Sequence, residues 1–487
     1  MSAATTEKPK QAPHPTLDER VALGRAARDR TPPASHAGWK PAAGRPDPVG
    51  LIEQQNLMRE PQLVPIRHGR MMVSPFTFYR GAAKIMAADL ERSPRAELTV
   101  QLCGDAHLSN FGVYASPERK LVFDMNDFDE TLPGPFEYDV KRLAASFVVA
   151  ARDNGFGAAD ARAAATACAG AYRTTMAEFA EMRTMDVWYA HLSEDELLAA
   201  ADRFAASQKK GKKGKKKGVK QDDVARARKA AAKARTRDSL QALSKLGEVV
   251  DGRYRIVSQP PIVVPARDLE AAYGFAPGGL EEIVHEQFRS YRSTLQPDRR
   301  HLLERFQIVD MALKVVGVGS VGARAFIVLL QGRDEEDPLF LQVKEATSSV
   351  LEDHLPRSSY THPGERVVQG QRVMQAASDV FLGWTKGHED DRYLYWRQLR
   401  DMKGSAVIEA MSPSALRFYA HWCGWTLARA HARSGDPVAI AAYLGDDESF
   451  DDAIVDFAER YADRNDQDYE AFLAAIRTGR LEAVQGV

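Results

Sequence analysis

The feature that most constrains this sequence is a dense group of polar residues between short apolar runs near the N-terminal end. Residues 104–110 read GDAHLSN and follow the apolar run 98–103, while the run 120–123 leads into the acidic stretch DMNDFDE at 124–130. Short apolar runs of this kind predict strands. The pattern therefore predicts an aspartate, an asparagine and a further aspartate at the ends of neighbouring strands. Single loop aspartates commonly serve in turns and N-caps, but a cluster of this density indicates a chemical site.

This layout is the one that phosphoryl-transfer enzymes use. Such enzymes hold a base near the acceptor hydroxyl and two metal ligands near the phosphates. We therefore predict that Asp105 orients or deprotonates an acceptor hydroxyl. Asn110 and Asp127 are predicted to hold Mg²⁺ against the phosphates of ATP, since magnesium prefers hard oxygen ligands.

Two other aspartates, Asp124 and Asp129, are alternatives for the metal ligand. Asp127 is preferred because the next predicted helix, 138–152, begins next to Asp139, and Asp139 is at the right distance to brace the catalytic loop.

A glycine-rich stretch, GVGSVG at 317–322, lies far downstream and is followed by the apolar run 323–330, which predicts a strand. A dinucleotide-binding fingerprint would instead be followed by a helix. Strand, glycine loop and strand is the order in which kinases lay backbone amides over ATP phosphates. The predicted nucleotide-binding residues of this loop are Gly317, Gly319, Ser320 and Gly322.

Lys344 ends the next apolar run, 339–343, and matches the position of the lysine that pairs with the α and β phosphates. We expect a carboxylate on the following helix to hold it. Glu365 is the best-placed residue, and Glu345 and Glu352 are alternatives.

The run 393–399 falls where a hinge between two lobes would lie. The backbone near Gln398 and Leu399 is therefore predicted to meet the adenine. A plain buried strand is the alternative interpretation.

The stretch 104–110 resembles the G-D-x-H-x-x-N loop of aminoglycoside and choline phosphotransferases, within the protein-kinase-like superfamily. Asp127 and Asp139 resemble the metal-binding and structural aspartates of those enzymes, whereas Cys103 stands where such loops usually carry histidine. The segments 63–81, 103–112 and 428–435 are similar to a bacterial family catalogued as domain of unknown function 2252. This second resemblance covers most of residues 20–470 and implies a kinase-like fold without an established substrate.

The predicted fold class is α+β, a two-lobe kinase-like fold in circularly permuted order, because the catalytic loop precedes the glycine loop. Permutation is physically reasonable where chain termini lie close together at the surface. Helix 413–433 is expected where the helix before a kinase catalytic loop packs, and helix 77–90 is the alternative. We predict a loosely ordered arm (1–50), a helical catalytic lobe (51–300), a β-rich nucleotide lobe (301–410) and helices completing the catalytic lobe (411–487). The arm contains a short helical pattern over 17–28, and the last segment is predicted to include helices over 450–464 and 468–477.

Composition limits the partners. The formal net charge of -1 gives no overall attraction to nucleic acid or membrane. Residues 208–221 form a Lys-rich loop that is predicted to be disordered. Since no aromatic residues lie between its lysines to stack on bases, nucleic acid is disfavoured beyond weak nonspecific contact through Lys209–Lys217.

The three cysteines are widely spaced and show no disulfide or zinc pattern, and no apolar run is long enough to cross a bilayer. A cytoplasmic protein without a membrane partner is therefore predicted. No sequence feature indicates which oligomeric state the protein has.

These features predict an ATP- and Mg²⁺-dependent kinase-like phosphotransferase that acts on a hydroxyl of a small-molecule substrate. AMP transfer by the same residues is one alternative, and a noncatalytic nucleotide-binding scaffold is another. Arg67, Arg70 and Arg80 have no counterpart in the pattern; they are candidates for binding substrate or phosphate, and solvated arginines are the plainer interpretation.

Overall fold

The computed structural model describes residues 14–210, 221–250, 253–272, 279–315, 317–318, 321–388, 392–399 and 402–486. Within these ranges the chain has the predicted α+β composition, with most helices gathered in one body and a six-stranded sheet in another. Most of the predicted Lys-rich loop lies outside the described residues. The same holds for Gly319 and Ser320 of the glycine-rich stretch.

The helices of the described chain are α1 (Leu17–Arg30), α2 (Pro48–Asn56), α3 (Val64–Met71), α4 (Pro75–Gly81), α5 (Ala83–Leu90), α6 (Glu137–Asp153), α7 (Ala158–Glu181), α8 (Thr184–Tyr189), α9 (Glu194–Lys210), α10 (Gln221–Arg235), α11 (Ser239–Leu246), α12 (Ala266–Ala272), α13 (Gly279–Ser293), α14 (Pro297–Leu303), α15 (Pro363–Met374), α16 (Pro413–Ser434), α17 (Pro437–Leu444) and α18 (Ser449–Arg477). Over these residues, no helix combines the length and the apolar character that crossing a bilayer requires.

Two helix boundaries differ from the expectation. The helix predicted over 77–90 is divided at Ala82, where the backbone leaves helical geometry between α4 and α5. The two terminal helices predicted over 450–464 and 468–477 are one continuous helix, α18. The polar residues at the expected break have partners: Asn465 donates to the Pro75 carbonyl at 3.1 Å, and Asp468 accepts from Arg45. Tertiary contacts therefore carry the helix through a segment that looks like a loop.

The strands are β1 (Thr99–Leu102), β2 (Phe111–Ala115), β3 (Leu121–Met125), β4 (Leu132–Pro135), β5 (Leu192–Ser193), β6 (Gly247–Val250), β7 (Arg253–Ile256), β8 (Val263–Pro265), β9 (Gln307–Lys314), β10 (Ala325–Gln331), β11 (Pro338–Glu345), β12 (Gly383–Lys386), β13 (Tyr393–Gln398) and β14 (Gly404–Ser405). The larger sheet has the order β12-β13-β11-β10-β9-β8, and a smaller one has the order β14-β2-β3-β5. β1 pairs with β4, and β6 pairs with β7; these pairings are antiparallel.

The helical body is built around α6, which is buried along nearly its whole length between α7, α16 and α18. Its apolar residues join the largest core cluster, and each fully buried leucine or phenylalanine contributes about 1.5–3 kcal/mol. α7 and α16 approach so closely that a Cβ on Gly424 would lie 2.3 Å from the Cys168 carbonyl oxygen. This rigid body holds β1 and the polar loop that follows it.

The six-stranded sheet buries both faces. On β11, Val343 packs with α13 and α14 on one face, while Lys344 points to the other face. An apolar cavity of about 270 Å³ lies between α13 and the Val343 face. Lys344 therefore points away from this cavity and toward the helical body.

The N-terminal arm packs against the helical body from Arg20 onward, in contrast to the loose attachment expected for 1–50. Arg20 pairs with Asp436 at 2.7 Å, and Ala27 and His36 are buried. The short helical pattern predicted over 17–28 is observed as α1, and α1 packs on α17, a contact that composition does not reveal. Residues 1–13 lie outside the described chain.

Candidate active site

The loop after β1 turns sharply at Gly104, whose φ of 82° is in the left-handed region. A Cβ at Gly104 would lie 2.1 Å from the Glu130 carbonyl oxygen, so only glycine fits this position. Asp139 accepts from the backbone N–H groups of Cys103 at 2.7 Å and Gly104 at 3.1 Å. The prediction that Asp139 braces this loop is confirmed. His431 of α16 lies with Nε2 3.3 Å from the same carboxylate.

Asp105 is held from two sides. Arg142 Nε donates to its Oδ1 at 2.5 Å, and Asn110 Nδ2 donates to its backbone carbonyl at 2.8 Å. Its Oδ2 lies 3.8 Å from His107 Nε2, and burial lowers the pKa of His107 to about 3, so this imidazole is neutral. With Oδ1 occupied by Arg142, Oδ2 is the oxygen that remains for a further hydrogen bond.

Lys344 reaches the acidic stretch from the sheet. Its Nζ donates to Asp129 Oδ2 at 2.5 Å and lies 3.8 Å from Asp127 Oδ1. Tyr395, directly opposite Lys344 on β13, donates to Asp129 Oδ1 at 2.6 Å. Burial alone would lower the pKa of Lys344, but the two carboxylates raise it above its usual value, so the ammonium stays charged.

Asp127 lies in a field of positive charge and keeps one oxygen free. Its Oδ1 is buried and has no hydrogen-bond partner within the described ranges. Burial would raise the pKa of Asp127, but Lys344, Arg397 and Lys403 outweigh it and lower the pKa below the usual range. Burial and the neighbouring Arg397 in turn lower the pKa of Lys403 to about 7, against the opposing charge of Asp127.

The other aspartates of this stretch are engaged in contacts that hold the fold. Asp124 is 1% exposed, pairs with Arg429 at 2.6 Å and accepts from the Ala376 amide at 2.8 Å. Asp129 is held by Lys344 and Tyr395. Asp127 is therefore the one of the three with a buried oxygen left unpaired by the described residues, which supports its choice over the two alternatives.

The residues present fit a magnesium ion that shares its ligands with phosphate. No group of three or more His, Cys, Asp or Glu side chains in the described part of the chain is arranged to hold a metal by itself. Magnesium is commonly bound by one or two protein oxygens together with phosphates and water. Asp127 Oδ1 is free, and Asn110 uses its Nδ2 on the Asp105 carbonyl, which leaves its Oδ1.

The glycine-rich stretch between β9 and β10 is fixed by the segment 59–70. The φ values of Gly317 and Gly322 are 72° and 91°, conformations that favour glycine. Arg70 donates to the Gly317 carbonyl at 2.6 Å, and the Glu60 amide donates to the Gly322 carbonyl at 2.8 Å. Arg59 donates to the Val321 carbonyl. The described ends of the loop are thus anchored through their carbonyl groups.

Glu365 is the carboxylate predicted to pair with Lys344, but Asp129 is the carboxylate that does. The amide of Glu365 in α15 donates to His362 Nδ1, and its side chain makes no described ion pair with Lys344. Of the alternatives, Glu345 pairs with Arg392 at 2.5 Å, and Glu352 lies 3.8 Å from Arg366. Lys344 points toward the loop after β3, so its ion-pair partner is Asp129.

The backbone donors predicted to meet adenine are already engaged. The amide of Gln398 donates to Asp379 Oδ2 at 2.5 Å, and that of Leu399 donates to the Phe340 carbonyl at 2.9 Å. These two N–H groups belong to the sheet and its edge. An adenine contact in this segment would have to use other groups, and the role of Gln398 and Leu399 stays a prediction.

The three arginines without a counterpart have different environments. Arg67 is fully buried and donates to Gln55, Asn56 and the Gly81 carbonyl, so it holds α2 to α3 and α4. Arg70 anchors Gly317. Arg80 has a buried Nε without a partner in the described chain, and the charges of Asp105 and Asp127 act on it. Only Arg80 borders the polar site.

Sequence reasoning missed Arg142, Tyr395, Arg397 and Lys403. Arg142 lies three residues after Asp139 on α6, a spacing that puts both side chains on one helix face and was a usable signal. Asp127 and Asp129 are two apart, which places both on one side of an extended segment. The proximity of Lys403 has no local signal, because it depends on the chain returning from the sheet to pair β14 with β2.

The fold and the site define an α+β protein whose mixed acidic and basic cluster lies between a helical body and an antiparallel sheet. The chain belongs to the bacterial family described as uncharacterized protein conserved in bacteria (DUF2252), whose model matches residues 59–475. That match spans the cluster from Arg59 to Lys403. No curated protein and no solved structure matches the chain.

Proposed function

We propose that this protein is an ATP- and Mg²⁺-dependent phosphotransferase of the protein-kinase-like type, with its two lobes in circularly permuted order. The glycine-rich stretch and Lys344 come from the sheet, and Asp105, Asn110 and Asp127 come from the helical body. This is the set of groups that phosphoryl transfer between an ATP lobe and an acceptor lobe requires. Three buried free cysteines also suit the cytoplasmic location that we propose.

The observation that carries the proposal is the ion pair between Lys344 Nζ and Asp127 Oδ1, which lie 3.8 Å apart. A lysine from the sheet that only stabilised the fold would be satisfied by Asp129 alone, at 2.5 Å. Asp127 adds a second carboxylate with a free buried oxygen and costs desolvation. An arrangement that keeps such an oxygen beside a lysine is suited to a metal–phosphate group between them.

Asp105 would act on the acceptor. An acceptor hydroxyl bound at Oδ2 would be oriented toward the γ-phosphorus and would pass its proton to Oδ2 as the new P–O bond forms. The bond between the γ-phosphorus and the β,γ-bridging oxygen would break in the same transfer, and ADP would leave. Arg142 holds Oδ1 and fixes the carboxylate in position. Binding and orienting the two reactants in this way is the larger part of catalysis in phosphoryl transfer.

The cations near Asp127 would bind the triphosphate. Lys344, Arg397 and Lys403 approach from the sheet and from the segment before β14, and their charges would offset those of the phosphates. Bound Mg²⁺ would be held by Asp127 and Asn110 and would neutralise charge on the phosphate oxygens. The acceptor is proposed to be a small molecule with a hydroxyl group.

Incubation of the purified protein with ATP and Mg²⁺ and a library of hydroxylated metabolites tests this function. Acceptor-dependent ADP release is expected, and Asp105→Asn should abolish it while the thermal stabilisation by Mg·ATP persists. Lys344→Met should lose both, whereas Lys120→Met, at an exposed lysine, should lose neither. Release of pyrophosphate instead of ADP would indicate AMP transfer. Absence of any ATP-induced stabilisation in the wild-type protein would overturn the proposal.

A further inference from the structure

A second polar site lies under the N-terminal arm, apart from the cluster around Asp127. It is a cavity of about 300 Å³, a volume at the lower end of the usual range for small-ligand pockets. The cavity is lined by arm residues 35–46, by residues 88–94 at the end of α5, and by Lys141 and His354. Lys40 and Arg92 on its lining are exposed, so the cavity opens to solvent.

Three buried side chains of this lining carry polar atoms that are not hydrogen-bonded. They are Lys141 Nζ, His36 Nδ1 and Ser93 Oγ, each buried and without a partner among the residues that the structure describes. A buried polar atom left unpaired costs about 1–3 kcal/mol. Three residues of one cavity lining therefore carry buried polar atoms that a bound molecule could pair.

The three atoms can all donate. Lys141 and Ser93 carry donor hydrogens. His36 is neutral, because burial and the charge of Lys141 lower its pKa to about 2. Its Nε2 lies 2.8 Å from the Tyr443 hydroxyl, and in the tautomer in which Tyr443 donates to Nε2 the imidazole hydrogen lies on Nδ1. A ligand that offers several acceptor oxygens matches this set.

The charge of Lys141 is only partly balanced. Lys141 is fully buried and forms no ion pair within 4.0 Å in the described chain. Burial lowers the pKa of Lys141 and raises the pKa of Glu137, one turn away on α6, so this neighbouring acid is a weak counter-charge. The acids of the lining are engaged elsewhere, Asp89 with Arg45 at 2.6 Å and Glu91 with His354 at 3.3 Å.

We propose that this cavity binds a small metabolite through a carboxylate or phosphate group, whose oxygens accept from Lys141 Nζ, Ser93 Oγ and His36 Nδ1. Lys40 and Arg92 at the opening favour the approach of an anion. Trp39, which packs against Tyr461 with ring centroids 5.1 Å apart, forms an apolar wall for the rest of the ligand. The site shares no residue with the phosphotransfer cluster, and it stands or falls independently of the function proposed above.

Thermal unfolding of the full-length protein with inorganic phosphate or succinate, against sodium chloride at equal ionic strength, tests the site. At least one of the two anions should raise the Tm in a saturable way, and the stronger one identifies the preferred oxyanion. The shift should persist in Lys344→Met, which excludes phosphate bound in the other cluster. Lys141→Met should weaken binding about 10-fold to 100-fold, and Ser93→Ala about 3-fold to 10-fold.

Lys120→Met serves as the matched control, since it removes an exposed lysine charge far from the cavity lining, and its affinity should equal that of the wild type. If Lys141→Met does not fold, Ser93→Ala, which removes one hydroxyl, decides the question. Equal Tm shifts in the wild type and in these variants would show a general salt effect and overturn the proposal. Absence of a saturable shift with both anions would show that the cavity holds water alone and would overturn it too.

Discussion

Lys344 donates to Asp129 at 2.5 Å across a separation of 215 residues in the chain. The contact joins the central part of the six-stranded sheet to the loop after β3 in the helical body. Tyr395 completes it from the neighbouring strand at 2.6 Å, so Asp129 is fixed by two groups of the sheet. Asp127, two residues earlier, is left beside the lysine with a free oxygen, and this arrangement gives the predictions that follow.

Lys344→Met is expected to reduce strongly the stabilisation by Mg·ATP. In the wild type, nucleotide at about 100 times its Kd adds roughly 2.7 kcal/mol to the free energy of unfolding. Loss of a charge-assisted contact with phosphate weakens binding by about 1.5–3 kcal/mol. A titration of Tm against ATP concentration measures the effect, with Lys120→Met as the exposed control. Equal nucleotide affinity in Lys344→Met and the wild type would contradict the assignment.

Asp124→Asn is expected to lower mainly the stability of the protein, and Asp127→Asn is expected to lower mainly its activity. Asp124 and Arg429 are both 1% exposed, so Asp124→Asn strands a buried guanidinium and lowers the free energy of unfolding by about 3–5 kcal/mol. The Asp127 side chain is 35% exposed, and its Oδ1 has only the long ion pair with Lys344 at 3.8 Å and no hydrogen-bond partner in the described chain. Asp127→Asn therefore costs about 1 kcal/mol or less. Urea unfolding measures both.

The rate of ADP release is expected to rank the two variants in the opposite order. Asp127→Asn should abolish Mg²⁺-dependent ADP release, while folded Asp124→Asn at low temperature should retain part of it. Similar stability losses in the two variants would show that Asp127 is a structural residue as well.

The features that were predicted correctly from the sequence are those that depend on a local pattern of residues. The helix predicted over 138–152 is observed as α6, because its apolar spacing is a property of the segment itself. The brace by Asp139 followed from its place at the start of that helix. The partner of Lys344 depends instead on the register of β11 and β13 and on where α15 packs, so Glu365 was favoured on helix order alone. Such long-range placements leave no local trace.

Gly424→Ala and Gly170→Ala should change stability in opposite directions, although both glycines lie in the tightly packed helices α16 and α7. A Cβ at Gly424 would lie 2.3 Å from the Cys168 carbonyl, which forces the helices apart and costs about 1–3 kcal/mol or more. At Gly170 the one atom near a new Cβ is Asp451 Oδ2 at 3.4 Å, so alanine gains about 0.5–1 kcal/mol of helix propensity. Thermal unfolding of both variants checks the contrast, and a neutral Gly424→Ala would show that the helices can separate freely.

Lys403 should make the stability of the folded protein increase with pH above neutrality. Its pKa is lowered to about 7 by burial and by Arg397, whereas a lysine in the unfolded chain titrates near 10.5. Between these values the unfolded state holds a proton that the folded state lacks, so the free energy of unfolding rises with pH.

The cost of burying the charged form is fully present below about pH 7 and is relieved as the pH approaches 10.5. Lys403→Met removes this contribution, so the stability difference between wild type and variant should shift in favour of the wild type from pH 7 to pH 9. Urea unfolding of both proteins at several pH values measures that difference. A difference that stays constant over this range would mean that Lys403 remains protonated beside Asp127, and the ammonium would then be a permanent part of the phosphate-binding cluster.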